Sequence, residues 1–208
     1  MRNLVRSLSK NLLQHVVFRG HFMWRVASGV ALTFDDGPDP EFTPALLDLL
    51  REVEVRATFF LIGSKALAHP ELVARIVSDG HVIGGHGYDH EVITSMSVAE
   101  LGKDLRRCRD ALLQSAGVDT VLFRPPKGLV NLESIRSVQR HGYRLVHWSR
   151  TYSDYRRDGI DMLLGRMTQH PPAAGDVILL HDNNSYTIEA LRRVLPAWKG
   201  QGMEFVHV

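Results

Sequence analysis

The chain contains 208 residues with 44% hydrophobic and 23% charged content, which is the size and composition of one globular domain. Its formal net charge is +2, from 25 basic and 23 acidic residues, and this near balance argues against a nucleic-acid partner. The single cysteine, Cys108, can form no disulfide within the chain.

Residues 1–28 form a basic segment ahead of the main run of predicted elements. On a helix its side chains would separate into a basic row and a neighbouring apolar stripe: Arg2, Arg6 and Lys10 against Val5, Leu8, Leu12 and Val16. Such a segment either lies on a membrane surface, through residues 1–25, or packs on the domain itself. No signal peptide or membrane-spanning segment is recognisable, so we expect a cytoplasmic location or the cytoplasmic membrane surface.

From residue 29 onward, short apolar runs alternate with segments of helical periodicity. The apolar runs predict strands over residues 30–34, 57–62, 81–84, 121–123, 144–148, 177–180 and 204–208. The helical pattern predicts helices over residues 43–53, 70–78, 98–116, 132–141, 160–168 and 188–198. This alternation predicts one α/β domain over residues 29–208, with a parallel sheet that forms either a barrel or a doubly wound open sheet.

Ionisable residues follow five of the seven predicted strands. They are Asp35 and Asp36, His86 and His90, Arg124, Asp154, and His181 with Asp182. The C-terminal ends of parallel strands open on the same face, so these side chains are predicted to converge on one rim. Their convergence indicates a catalytic site, whereas an isolated pair of acids before Gly-Pro would indicate only a solvated turn.

A metal site is predicted from His86, His90 and one of the two aspartates at residues 35 and 36. The spacing of the histidines lets both imidazoles reach one ion, and two histidines with one aspartate leave a position open for water or substrate. The other aspartate would then take a proton from the metal-bound water. A turn at residues 37–38 would let both acids face the rim.

Five short motifs occur in order along the chain: T-F-D-D-G-P, H-G-Y-D-H, R-P-P-K-G, W-S-R-T-Y-S-D-Y and L-L-H-D. Together they resemble the motifs of the polysaccharide deacetylases, the NodB-homology or carbohydrate esterase family 4 domain, over about residues 29–208. The resemblance implies a single-domain distorted (β/α)7 TIM-like barrel. It also implies metal-dependent removal of an N- or O-acetyl group from a saccharide, with one divalent ion, zinc by preference and cobalt, manganese or nickel as alternatives.

The resemblance also implies a role for each residue that matches the family motifs. Asp35 would be the general base, and Arg124 would orient it and tune it electrostatically. His181 would be the general acid, and Asp154 would pair with it. One aspartate and two histidines would bind the metal: Asp36, His86 and His90.

Three further positions concern the substrate. The backbone N–H of Lys127 would stabilise the oxyanion together with the metal, Tyr155 would contact the substrate, and Leu179 would line the acetyl pocket. Several positions depart from the family pattern, because Lys127 stands where an aromatic residue is common and Tyr155 where Trp is more usual, and Gly87 and Glu91 replace a hydroxyl residue and a proline. The side chain of Lys127 is interpreted either as a solvated loop residue or as a contact to an anionic substrate.

The favoured function is that of a hydrolase of non-peptide carbon–nitrogen bonds acting on an N-acetylated saccharide. One alternative keeps the mechanism and changes the substrate to a formylated, lipid-linked sugar or to a non-sugar amide. Another is a saccharide-binding module that has lost catalysis. Such a module would be expected to lack the base, the acid or a metal ligand, and the sequence contains them all.

Deletion of residues 1–25 tests whether the basic segment contacts a membrane. If it does, the truncated protein is expected to move from the membrane fraction to the soluble fraction, because basic side chains are attracted to anionic lipid. The measurement is fractionation of cells that produce either form. Unchanged partitioning would remove the membrane contact.

Overall fold

The computed structural model describes residues 22–208, so most of the basic segment lies outside the described residues. Its amphipathic helix, its membrane contact and a domain boundary at residue 28 remain predictions. Among the described residues, none of the helices combines the length and the apolar character that crossing a bilayer requires.

Nine strands and seven α-helices follow one another over the described residues. The strands are β1 (Phe22–Met23), β2 (Val30–Asp35), β3 (Thr58–Leu61), β4 (Val82–Gly85), β5 (Leu122–Phe123), β6 (Arg144–Val146), β7 (Arg150–Thr151), β8 (Val177–His181) and β9 (Phe205–Val206). The helices are α1 (Thr43–Glu52), α2 (Gly63–Ala68), α3 (Pro70–Ser78), α4 (Val98–Ala116), α5 (Leu132–Arg140), α6 (Ile160–Gln169) and α7 (Ser185–Gly200). The predicted strands and helices are confirmed with slightly shifted ends, and the structure adds β1, β7 and the short helix α2.

The sheet curls into the distorted TIM-like barrel that the family resemblance implies. Its strands pair in parallel in the order β1-β6-β5-β4-β3-β2-β8-β7, and β9 also pairs with β2. Strands β6 and β7 lie near opposite ends of this order, yet only residues 147–149 join them. Because an extended chain spans at most about 3.6 Å per residue, the two ends of the sheet must come together. The sheet therefore curls so that its two ends approach each other, which excludes the flat, doubly wound alternative.

Strand β2 positions the site. It is buried along its whole length and pairs with β3 on one side and β8 on the other. Its sequence, V-A-L-T-F-D, is mostly apolar, as expected for a parallel strand that is covered on both faces. The register pairs Asp35 with Phe60 of β3 and with His181 of β8, so Asp35 and His181 lie side by side where the strands end.

The helices cover the outside of the barrel, and their ends are satisfied locally. Helices α4 and α5 begin with capping boxes at Ser97 and Asn131, which bind backbone N–H groups that have no partner within the helix. Helix α4 ends at Gly117 in a left-handed conformation, which glycine adopts without strain. The largest apolar core, which includes Phe34, Leu50 and the other buried faces of β2 and α1, lies between the sheet and the helices.

Strand β1 shows that the end of the basic segment belongs to the sheet. Phe22 and Met23 pair with Leu145 and Val146 of β6, and the ring of Phe22 stacks on Trp24 with 5.0 Å between centroids. A truncation that tests the membrane contact without removing this strand therefore ends at residue 21.

An added methyl group is expected to have opposite effects on stability at Gly84 and at Gly165. A Cβ at Gly84 would lie 2.7 Å from Phe60 Cδ1 and 3.1 Å from Leu122 Cβ, inside the wall of the barrel. Gly84→Ala is therefore expected to lower the free energy of unfolding by about 1–3 kcal/mol through overpacking. Gly165 lies within α6, and nothing beyond its own helix comes within 4 Å of an added Cβ. Gly165→Ala should raise the free energy of unfolding by about 0.5–1 kcal/mol.

Urea denaturation of both variants and the wild type measures these changes. Gly165→Ala is the matched control, because it makes the same chemical change where there is room for it. Equal stability of Gly84→Ala and the wild type would contradict the tight packing of β4 against β3 and β5.

Candidate active site

A cavity of about 340 Å³ opens at the C-terminal edge of the sheet. The residues that line it come from separate strand ends and loops: Asp35, Asp36, His86, His90, Lys127, Gly128, Trp148, Tyr155, Leu179 and His181. The other two residues that the sequence predicts for the site, Arg124 and Asp154, are buried and hydrogen-bonded to Asp35 and His181. The fold thus brings the ten predicted site residues together.

Arg124 is fully buried and holds the carboxylate of Asp35. Its Nη1 donates to Asp35 Oδ1 and to Thr33 Oγ1, each at 2.7 Å. Its remaining donors reach the backbone carbonyls of Val146 at 3.3 Å and of His147 at 3.0 Å. Burial lowers the pKa of Arg124, and the charge and hydrogen bond of Asp35 oppose that shift. A buried guanidinium is stable here because each of its nitrogens has an acceptor.

Asp36 leaves the strand in a left-handed conformation, with φ 75°, which is uncommon for a residue other than glycine. Both carboxylates of the aspartate pair consequently line the cavity, although adjacent residues of a regular strand point to opposite faces. Lys65 of α2 donates from Nζ to the Asp36 carbonyl at 2.8 Å. On the next residue, a Cβ at Gly37 would overlap the buried carboxylate of Asp182, so only glycine fits there.

Asp36, His86 and His90 form a ligand set of the kind that binds a divalent ion. One ligand atom from each lies within 4.8 Å of the others, and Asp36 Oδ1 is 3.5 Å from His86 Nε2 and 3.2 Å from His90 Nε2. Ligands about 2.0–2.1 Å from one tetrahedral zinc lie about 3.4 Å apart, which these distances match. The Nδ1 of His86 lies 2.7 Å from the Arg124 carbonyl, which can only accept, so Nδ1 carries a proton and Nε2 is the ring nitrogen left to bind an ion.

The charge of Asp36 is also suited to a metal ligand. Burial raises the pKa of Asp36, but interactions with His86 and His90 outweigh this effect and hold the pKa well below its ordinary value. The carboxylate is therefore ionised, as a ligand oxygen must be.

His181 and Asp154 form a hydrogen-bonded pair on the other side of the cavity. Asp154 Oδ1 lies 3.0 Å from His181 Nδ1, and Oδ2 accepts from the His181 N–H at 2.7 Å and from Thr187 Oγ1 at 2.9 Å. Burial lowers the pKa of His181, but the hydrogen bond and the charge of Asp154, with smaller effects of Asp35 and Asp36, outweigh it and raise the pKa to about 9. His181 is therefore protonated at neutral pH, with a proton available in the cavity.

The mouth of the cavity combines apolar and polar side chains. Leu179 is 6% exposed and forms part of the wall, whereas Tyr155 is 57% exposed. Lys127 and Gly128 both have positive φ, 57° and 65°, which turns the loop sharply. Only glycine fits at 128, because a Cβ there would overlap the ring of Trp148.

Several residues that support the site have no recognisable signal in the sequence. Lys65 lies on α2, whose six residues are too few to show helical periodicity. Asp104 accepts a hydrogen bond from the Tyr88 N–H at 3.0 Å and so braces the loop between His86 and His90. The side-chain amide of Asn183 lies 3.4 Å from Asp36 Oδ2.

Comparison with known proteins agrees with this geometry. The family model described as polysaccharide deacetylase matches residues 26–146. The chain is 35% identical to a peptidoglycan-N-acetylglucosamine deacetylase of Bacillus cereus, over 91% of this chain and 92% of that protein. It is 32% identical to a chitooligosaccharide deacetylase of Sinorhizobium fredii, over 85% and 88%. The crystal structure of the Bc1960 peptidoglycan N-acetylglucosamine deacetylase superposes with a TM-score of 0.83 at 32% identity, over 90% of this chain and 91% of that one.

Lys65→Met is expected to weaken zinc binding about tenfold, the usual cost of removing a group that orients a metal ligand. The reason is that the Lys65 ammonium binds the Asp36 carbonyl and so stabilises the left-handed backbone of Asp36, and methionine cannot make this hydrogen bond. Zinc affinity is measured by competition with a chromogenic chelator, starting from the metal-free protein. Lys65→Arg, which keeps a charged donor, should recover part of the lost affinity.

Lys199→Met is the matched control for this prediction. It also removes a hydrogen bond from a lysine Nζ to a backbone carbonyl, that of Val53 at 2.6 Å, but at a position that does not line the cavity. Its zinc affinity should equal that of the wild type. If Lys65→Met and Lys199→Met bind zinc equally well, Lys65 does not position Asp36.

Proposed function

Because this chain belongs to the polysaccharide deacetylase family, whose members hydrolyse carbon–nitrogen bonds other than peptide bonds, we propose that it removes the N-acetyl group from an amino sugar within a glycan. The observation that supports the proposal most is the meeting of three groups in one cavity. These are the Arg124-bound carboxylate of Asp35, the Asp-His-His ligand set and the protonated His181. The names of the relatives make peptidoglycan and chitooligosaccharides the first substrates to test.

In the proposed mechanism, Asp36, His86 and His90 hold one divalent ion, zinc by preference. When bound, the ion supplies Lewis acidity, which lowers the pKa of water and polarises the acetamide carbonyl. The remaining steps belong to side chains and backbone groups of this chain.

Asp35 is the proposed general base. Its Oδ1 is bound by Arg124 at 2.7 Å, and its Oδ2 lies 3.7 Å from His86 Nε2, beside the ligand set. From this position Oδ2 takes a proton from the attacking water. Arg124 is a positioning residue, because its fixed hydrogen bond sets the direction in which the second oxygen points.

His181 is the proposed general acid. Its Nδ1 is held by Asp154, so Nε2 is the nitrogen that gives its proton to the sugar nitrogen as the carbon–nitrogen bond breaks. The products are acetate and a free amino sugar. The backbone N–H of Lys127 supports the developing oxyanion, Leu179 contacts the acetyl group, and Tyr155 contacts the sugar.

Asp35→Asn is expected to retain the metal and to lower kcat for acetate release by about 10²- to 10⁴-fold, because an amide cannot take up the proton of the water. His86→Ala should lose both the metal and turnover, because one of three ligands is missing. Bound zinc is measured by atomic spectroscopy, and acetate release is measured on chitooligosaccharides and on peptidoglycan. Near-normal turnover by Asp35→Asn would show that Asp35 is not the base.

Asp39→Asn provides a matched acid-to-amide control on the same loop. Asp39 Oδ1 only accepts hydrogen bonds from the N–H groups of Glu41 and Phe42, which an asparagine oxygen can also do. Its turnover should stay close to that of the wild type. Saccharide binding by the zinc- or cobalt-loaded wild type without any acetate release would instead support a binding module and contradict the proposed hydrolysis.

A further inference from the structure

Three exposed cations, Lys127, Arg156 and Arg157, lie on the two loops that contribute Lys127, Gly128 and Tyr155 to the cavity lining, and together they form the cationic rim. Lys127 lines the cavity itself, as does the exposed ring of Tyr155. Side-chain hydrogen bonds of Ser153 and then Arg156 lower the pKa of the Tyr155 phenol, so the Arg156 side chain lies near the Tyr155 hydroxyl.

Arg157 is tied directly to the loop that contacts the ligand set. Its Nη2 donates to the Asn183 carbonyl at 3.2 Å, and the side-chain amide of the same asparagine lies 3.4 Å from Asp36 Oδ2. Lys127 and Arg157 both have positive φ, 57° and 51°, so each follows a tight turn of defined direction. These turns fix the backbone positions from which the Lys127 and Arg157 side chains extend.

The acids near the cavity already have partners. Asp35 is bound by Arg124, Asp154 by His181, and Asp158 by Arg166 at 2.8 Å. Within residues 22–208, no carboxylate lies within ion-pair distance of Lys127, Arg156 or Arg157. The charge of Arg156 also acts on Asp158, whose carboxylate is bound by Arg166, so the rim forms no ion pair of its own among the described residues.

The cavity mouth carries negative charge beside His90. Asp89 and Glu91 flank His90 and line a separate depression together with Asp104. An anionic substituent of a bound glycan would be repelled there and attracted on the side of Lys127 and Tyr155.

We infer that the cationic rim binds a carboxylate on the sugar next to the N-acetylated sugar, so that the protein prefers acidic glycans to neutral ones. This inference rests on the proposed function, because the acetamido group must lie in the cavity for its neighbouring sugar to cross the mouth. Guanidinium groups suit a carboxylate, since their planar N–H groups can bind both of its oxygens. The exposed ring of Tyr155 offers an apolar surface to the sugar between these contacts.

The test compares kcat/KM for acetate release from three tetrasaccharides at low ionic strength. The first alternates N-acetylglucosamine with N-acetylmuramic acid and has free lactyl carboxylates. The second is the same molecule with its carboxylates converted to neutral amides, and the third is the tetramer of N-acetylglucosamine. The wild type is expected to prefer the first to the second about tenfold, since several exposed charge contacts add modest gains. This preference should shrink in about 1 M salt, where the Debye length is about 3 Å.

The double variant Arg156→Gln, Arg157→Gln is expected to bring the ratio of kcat/KM for the acidic and amidated tetrasaccharides close to one. Both substrates are measured on the same protein, so any loss of stability or of overall activity cancels from the ratio. The matched control is Arg140→Gln, Arg144→Gln, which makes the same charge change at exposed positions beside the N-terminal end of β6. That control should keep the wild-type ratio.

The inference would be overturned by equal kcat/KM of the wild type on the acidic and amidated tetrasaccharides, or by an unchanged ratio in the rim variant. A fall of the ratio in the control as large as in the rim variant would also overturn it, because net charge and not the rim would then explain the preference. Zinc-loaded protein that releases acetate from none of the three tetrasaccharides would contradict the proposed function itself. The two failures can be told apart. If the protein releases acetate only from the neutral tetramer, the proposed hydrolysis is supported and only the role of the rim is contradicted.

Discussion

The buried guanidinium of Arg124 is the contact on which the geometry of the cavity depends. It donates to Asp35 at the end of β2 and to the carbonyls of Val146 and His147 at the end of β6, while its own carbonyl accepts from His86 Nδ1. One residue therefore links the proposed base, a proposed metal ligand and two strands that are not neighbours in the sheet. A buried cation without acceptors costs several kcal/mol, so this part of the barrel is stable only with the polar groups in these positions.

Three carboxylates lie in or directly behind the cavity wall, and each has a guanidinium or imidazole partner. Asp35 is bound by Arg124, Asp154 by His181, and Asp36 by His86 and His90. The repulsion between the adjacent acids of the first motif is offset in this way, and a divalent ion would offset it further. The arrangement also separates two functions, because one aspartate is fixed by a cation and the other is directed at imidazole nitrogens.

Much of the fold follows from sequence pattern, and the exceptions share a physical cause. The long helices and the buried strands are confirmed because their periodicity extends over enough residues to be read. Strands β1 and β7 have two residues each and α2 has six, so they carry no periodic signal and form through contacts with distant parts of the chain. The predicted strand over residues 144–148 ends early, because residues 147–149 cross between the two ends of the curled sheet.

The sequence by itself determined which reactive groups the protein has and that they follow the C-terminal ends of parallel strands, since hydrophobic periodicity and motif order are local properties of a chain. The tertiary structure alone decided how those groups are supported. Residues far apart in the chain come together in these contacts. Lys65 donates to the Asp36 carbonyl and Arg157 to the Asn183 carbonyl, and acidic and basic side chains from different loops are placed around the mouth. The left-handed backbone of Asp36 is equally invisible to a local pattern, because distant contacts and not residue type stabilise it.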